Sequence, residues 1–310
     1  MMHTFRNRSV ISMENFSRQE ILYLLEQAHI MKNSPPPPSL KTSILATCFY
    51  EPSTRTRLSF ETAMLKLGGR IIGFSDGKNT AAQKGESFED TIKVMGSFAD
   101  VLVLRHPSKE SIHLAHKSTE TPVINAGNGA EEHPTQTLTD LFTMQETQKD
   151  LQGLSIAFVG DLKYGRTVHS LCLACALFGM RLFFCAPDGL FLPQELLAHL
   201  TRKKIPFSFH QNLDEIISHL DILYVTRLQT DRLTSTDPIF FNLYPLKLDH
   251  LVNAPSHLKI LHPLPRNNEI DPLIDGSPFA HYFQQAENGV YTRMGLLHAI
   301  LQGSLKYDYV

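Results

Sequence analysis

Short apolar runs of strand length alternate with longer helix-patterned runs along almost the whole chain, and this alternation constrains the fold more than any other feature of the sequence. The strand-like runs are 43–50 (SILATCFY), 70–74 (RIIGF), 100–105 (DVLVLR), 121–125 (TPVIN), 155–160 (SIAFVG), 181–186 (RLFFCA), 206–210 (PFSFH), 221–226 (DILYVT) and 258–263 (LKILHP). Helical patterns lie between them, and a last one covers 288–303. Strands that take turns with helices make parallel sheets covered on both faces. The expected fold is two parallel-sheet α/β domains with helices on both faces, and 310 residues are enough for both. Local signals mark the element ends. Ser17 and Glu20 form a capping box ahead of an amphipathic run. Pro35 to Pro38 read as a stiff connector, Ser53 as the cap of the helix over 54–68, and Pro134 as the first turn of another.

Composition excludes several classes. A net charge of -2, with 19% charged and 42% hydrophobic residues, fits neither a disordered chain nor a nucleic-acid coat. An anion site must therefore be built from a few placed arginines. No run approaches the ~20 apolar residues of a membrane span, and the start MMHTFRNRSV lacks a signal core. A cytoplasmic chain with no membrane or nucleic-acid partner is expected. Cys172 and Cys175 form a C-x-x-C inside an apolar helical run with no second ligand pair nearby. They read as buried free thiols, and no metal is expected.

Ligands of open α/β sheets bind beyond the carboxyl ends of strands, so the residues there carry the chemistry. After 43–50 come Glu51, Pro52, Ser53, Thr54, Arg55, Thr56 and Arg57, a helix start crowded with hydroxyls and arginines. Free N–H groups, the helix dipole, hydroxyl donors and an arginine fork together suit a phosphate. Arg105 ends the run 100–105 and reads either as an anion ligand or as half of a structural ion pair. His133 and Gln136, three apart at a helix start, point to one site. The stretch Gly160-Asp161-Leu162-Lys163-Tyr164-Gly165-Arg166-Thr167 is one substitution from a P-loop, with Arg166 in place of lysine, which keeps a nucleotide-binding rival open. Arginine is, however, a planar clamp for carboxylate, and Arg166 and Arg227 both end strands of the second half. A dicarboxylate would suit the pair.

Together the motifs FYEPSTRTRLSFETA, KGES, RHP, HPTQTLTDLFT, GDLKYGRTVHSL, TRLQTDR, HPLPR and YFQQAENGVYTR resemble the aspartate carbamoyltransferase catalytic chains, of the aspartate/ornithine carbamoyltransferase superfamily. They run in the family's order from residue 49 to 293. S-T-R-T-R is shared with the ornithine branch, whereas HPLPR and TRLQ belong to the aspartate branch. The resemblance implies transfer of the carbamoyl group from carbamoyl phosphate to the amine of L-aspartate. The products are N-carbamoyl-L-aspartate and phosphate, in an early step of pyrimidine biosynthesis, without cofactor. It implies a carbamoyl phosphate domain of residues 1–134 plus 288–310, an aspartate domain of 135–287, and an active site in the cleft between them.

The resemblance also implies roles. Ser53, Thr54, Arg55, Thr56 and Arg105 would bind phosphate. Arg105, Thr56 and His133 would grip the carbamoyl oxygen, and Gln136 with the carbonyls of Leu264 and Pro265 would hold its amide. Arg166, Arg227 and Gln229 would bind aspartate. Lys84 would reach a neighbouring subunit's site in a homotrimer, and Glu51 would latch the domains through Arg166 and Arg232. The loop with Lys84 departs from the family. Ala81 or Ala82 stands where a phosphate-contacting serine is usual, which leaves Thr80 as the substitute if the loop shifts. A carbamoyltransferase for another acceptor stays open at this point, as do regulatory chains in a larger assembly.

Overall fold

The computed structural model describes residues 5–187, 189–227 and 245–303. Two compact units emerge, one drawn from Met1–Thr139 with Glu287–Val310 and the other from Asp140–Ala286.

In the first unit, strands β1 (Ile44–Phe49), β2 (Arg70–Phe74), β3 (Val101–His106) and β4 (Val123–Asn128) form a sheet in the order β2-β1-β3-β4. Every pair is parallel. Val10 adds a parallel bridge beside Ile124. The helices are α1 (Arg18–Asn33), α2 (Thr54–Lys66), α3 (Phe88–Phe98) and α4 (Ser111–Ser118). Ile92 of α3 and Ile112 and Ala115 of α4 pack with Ala46, Cys48, Leu102 and Leu104 of the sheet. The expected capping box at the start of α1 is complete. The Glu20 N–H donates to Ser17 Oγ at 3.3 Å and the Ser17 N–H to Glu20 Oε2 at 2.7 Å. Burial then follows the helical period through Ile21, Leu24, Leu25, Ala28 and Met31.

Helices α5 (Pro134–Gln148) and α8 (Tyr282–Leu301) run through the points where the units divide. The division falls after Thr139 and after Ala286, rather than after the expected 134 and 287. A break inside a continuous helix leaves no turn or cap in the sequence. Helix α8 also begins six residues before the expected 288, because Asn288 and Gly289 lie within it. Both are weak helix formers that imitate a start. Gly295 of α8 lies against α1, where an added Cβ would stand 2.9 Å from the Ala28 nitrogen.

In the second unit, β5 (Ser155–Val159), β6 (Arg181–Cys185), β7 (Phe207–His210), β8 (Ile222–Val225) and β9 (Lys259–Leu261) form a parallel sheet in the order β7-β6-β5-β8-β9. Helices α6 (Arg166–Leu177) and α7 (Gln194–Arg202) connect its first strands. The connection from β7 to β8 is not the expected helix but two 3-10 turns, Leu213–Glu215 and Ile217–His219. The few residues available there cannot hold an α-helix with its turns. All four cysteines are buried and free, and burial pushes the thiols of Cys48 and Cys185 up to about 12. Among the described residues no helix is long and apolar enough to cross a membrane.

Candidate active site

The first sheet reverses its winding beside β1. The chain adds β2 on one side of β1 and then crosses to add β3 on the other. Such a switch point opens a crevice at the carboxyl ends of the two strands. The loop from β1 into α2 and the end of β3 both lie there, with Phe49 paired to Arg105 in register. Ser53 takes the N-cap position of α2 without a side-chain capping hydrogen bond, unlike the expected cap. The first amides of α2 stand at the positive end of its dipole. Thr54 and Arg55 are exposed and Thr56 is buried. Arg57 departs from the cluster, with its Nη1 3.4 Å from Glu61 Oε1 one turn along the helix. Ser53 to Thr56 thus lie together at the helix start, and Arg57 pairs along the helix.

Around this helix start stand Arg105 and His133. Arg105 Nη1 donates to the Ala126 carbonyl at 3.4 Å, and its Nε lies 3.4 Å from Glu51 Oε2. The ion-pair reading of Arg105 is thereby present in the structure, and the partner is the carboxylate read as a latch. Arg232, one of the latch's two expected partners, falls outside the described residues, as does Gln229. His133 is buried just before α5, with Nε2 3.4 Å from Thr56 Oγ1 and Nδ1 3.5 Å from Thr135 Oγ1. The Gln136 N–H donates to the His133 carbonyl at 2.9 Å, which fixes the two in one helical turn. Lys84 is exposed at the end of a 3-10 turn, Ala81–Lys84. Thr80 donates its hydroxyl to the Gly77 carbonyl at 2.7 Å, within the turn before it.

The second sheet has the same kind of switch, between β5 and β8. Val159 pairs with Val225, so the loop after β5 lies beside Thr226 and Arg227. The Thr226 N–H donates to the Val159 carbonyl at 2.9 Å. Asp161 Oδ1 accepts the Tyr164 N–H at 2.9 Å and so folds the loop back. Gly165 then has no room for a side chain, since a Cβ would stand 2.5 Å from the Asp161 carbonyl. Arg166 is buried at 7% exposure and Arg227 is half-buried. A buried guanidinium at the start of the helix that follows a strand suits a bound carboxylate. Beyond β9, Leu264 and Pro265 are joined by a cis peptide bond, and Leu264 has φ 51°.

A parallel-sheet α/β unit with hydroxyls and an arginine at a helix start beside its switch point, followed by a second such unit with arginines beyond its strands, fits a two-domain group-transfer enzyme. Residues 8–146 match the family model described as the carbamoyl-P binding domain of aspartate/ornithine carbamoyltransferase, and residues 152–300 match its Asp/Orn binding domain. The chain belongs to the aspartate/ornithine carbamoyltransferase family. It is 48% identical over 309 residues to the aspartate carbamoyltransferase catalytic subunit of Aliivibrio fischeri, covering 98% of this chain and 100% of that one. Its identity to the corresponding subunit of Chromobacterium violaceum is 47% over 297 residues, 95% of this chain and 98% of the other. Among solved structures it is similar to aspartate transcarbamoylase from Trypanosoma cruzi in complex with carbamoyl phosphate and aspartate. The TM-score is 0.90 at 36% identity, over 96% of this chain and 98% of that one.

Proposed function

We propose that the chain moves the carbamoyl group of carbamoyl phosphate to the amine of L-aspartate, giving N-carbamoyl-L-aspartate and phosphate. The observation that carries this reading is the meeting of the α2 start, Arg105 and His133 at the β1/β3 switch. Ser53, Thr54, Arg55, Thr56 and Arg105 take the phosphate. Thr56, Arg105 and His133 face the carbamoyl oxygen, where negative charge develops as the amine attacks; each placed donor is typically worth ~10²–10³ in rate. Gln136 and the carbonyls of Leu264 and Pro265 accept the carbamoyl N–H groups. Arg166, Arg227 and Gln229 hold the two carboxylates of aspartate, with Lys84 added from a neighbouring chain. The new C–N bond forms as the bond from carbamoyl carbon to phosphate oxygen breaks, and the leaving phosphate accepts the amine proton. Holding both substrates in attack geometry supplies much of the remaining acceleration. Glu51 closes the site once substrates bind, exchanging Arg105 for Arg166 and Arg232.

The setting follows from the same reading. The product is an early intermediate of pyrimidine biosynthesis. Four buried thiols fit a reducing cytoplasm. Exposed Leu58, Leu65, Val94 and Phe98, on α2 and α3, support assembly into a homotrimer. The test is phosphate release from carbamoyl phosphate with L-aspartate, with L-ornithine and with neither. Release that depends on L-aspartate and matches the carbamoyl aspartate formed is expected. Equal release with L-ornithine would overturn the acceptor, and ATP hydrolysis indifferent to carbamoyl phosphate would favour the nucleotide-binding rival.

A further inference from the structure

The turn after β9 is held by a buried polar relay that the chemistry above leaves without a part. Leu264 lies in the left-handed backbone region, which a β-carbon disfavours. Its N–H donates to His262 Nδ1 at 2.8 Å. A backbone N–H can only donate, so Nδ1 is the unprotonated nitrogen and the ring proton sits on Nε2. Nε2 in turn donates to Glu269 Oε1 at 2.8 Å. The other oxygen of that carboxylate accepts the Asn267 N–H at 3.0 Å, so one carboxylate ties both ends of the turn. Behind the ring, the His262 N–H donates to Gln285 Oε1 at 2.8 Å, and Gln285 Nε2 donates to Asp140 Oδ1 at 2.7 Å. Asp140 Oδ2 accepts the Tyr224 hydroxyl at 2.9 Å. All five side chains are buried. Apolar residues of like size would fill such a space at less cost in desolvation, so packing alone does not account for the relay.

We propose that Glu269 and His262 are positioning residues for the carbamoyl donor. Through Leu264 they fix the Leu264 and Pro265 carbonyls as acceptors for its amide, and so select carbamoyl phosphate over donors without N–H groups. The proposal rests on the assignment of those two carbonyls made above. A site built to pair with N–H groups rejects an analogue that lacks them, because its buried acceptors are then left unsatisfied.

Side-chain amides separate the two arms of the ring. Asparagine places its amide near Nδ1 and keeps an acceptor for Leu264. Glutamine reaches toward Nε2 and keeps Glu269 but loses that acceptor. The experiment measures binding of carbamoyl phosphate, acetyl phosphate and inorganic phosphate to the wild type, His262→Asn, His262→Gln and Glu269→Gln by calorimetry, with thermal unfolding as the check on folding. The wild type is expected to prefer carbamoyl over acetyl phosphate. His262→Gln is expected to lose roughly tenfold of that preference, His262→Asn to retain it, and inorganic phosphate to bind all proteins alike. Equal wild-type affinity for the carbamoyl and acetyl compounds would overturn the carbonyl assignment, and the proposal with it. Wild-type discrimination that survives intact in His262→Gln would overturn the proposal alone. A uniform loss of all three ligands would mark a merely structural relay and also overturn it. Should His262→Gln fail to fold, Glu269→Gln makes the same test, since it keeps an acceptor for Nε2–H but turns a donor toward the Asn267 N–H.

Discussion

Arg55 holds the second position of α2, at the positive end of the helix dipole. A cation there works against the helix dipole by about 0.3–1 kcal/mol. Arg55→Ala is expected to lower turnover at least ~10²-fold while leaving the melting temperature unchanged or slightly higher. Phosphate release and thermal unfolding, run on the same preparation, read both halves, and near-wild-type kcat in the folded variant would remove Arg55 from the site. His133 contacts Thr56 from the start of α5, and the proposed mechanism turns it toward the oxygen on which charge develops. His133→Ala is therefore expected to lower kcat more than it weakens aspartate binding. A variant whose sole defect is a raised aspartate KM would move His133 to the acceptor's side. The sequence made this cluster legible because strand ends and helix starts are visible in it. It grouped Arg57 with Arg55, although Glu61 stands four residues on and the spacing already marks a helical ion pair.

Elements differ in how far local sequence determines them. The capping box of α1 was readable since both of its hydrogen bonds join residues three apart. Ser17→Ala is expected to cost about 1 kcal/mol in a denaturant titration. Glu20 has a further role, because Arg8 pairs with it from the preceding segment. Burial pushes the Glu20 carboxyl up, but the Ser17 N–H, the Arg8 guanidinium and the Ser17 hydroxyl outweigh it and hold the pKa below the ordinary 4.5. Its contribution to stability is thus complete above that value and is lost as pH falls through the lowered native one. Glu20→Gln should accordingly narrow the stability gap to wild type as the medium is acidified below the ordinary value, and a gap constant through that window would remove the linkage. The 3-10 turns between β7 and β8 and the His262 relay were not legible. The former reflect too little chain for a helix. The latter joins residues 140, 224, 262, 269 and 285, a set that no local period or spacing brings together.

At the scale of the whole molecule, the alternation of strands and helices was enough for two parallel sheets, because each sheet takes its strands from one continuous stretch of chain. It was not enough for the points of division, which fall inside α5 and α8. Assembly is one level further on. Lys84 is exposed at the end of its turn, and that turn follows another whose Gly77 lies against the Tyr50 ring; a Cβ there would stand 2.5 Å from Tyr50 Cδ1. Tyr50 is packed in turn by Phe74, Phe88 and His106, so the base of the loop is anchored while the lysine is presented outward. A lysine that serves its own site would gain from being folded inward, whereas one that serves an adjacent chain must face out. A shared site also gives the chain a reason to form a closed oligomer, since an isolated copy would be incomplete. Mixing two inactive proteins, Lys84→Ala and Arg55→Ala, after dissociating and reassociating their subunits distinguishes the two. With the site shared, some mixed trimers place an intact Arg55 beside a neighbour's intact Lys84, and activity returns. With Lys84 acting in its own chain, every site keeps one lesion. A mixture that stays inactive after subunit exchange has been verified by mass would end the in-trans assignment.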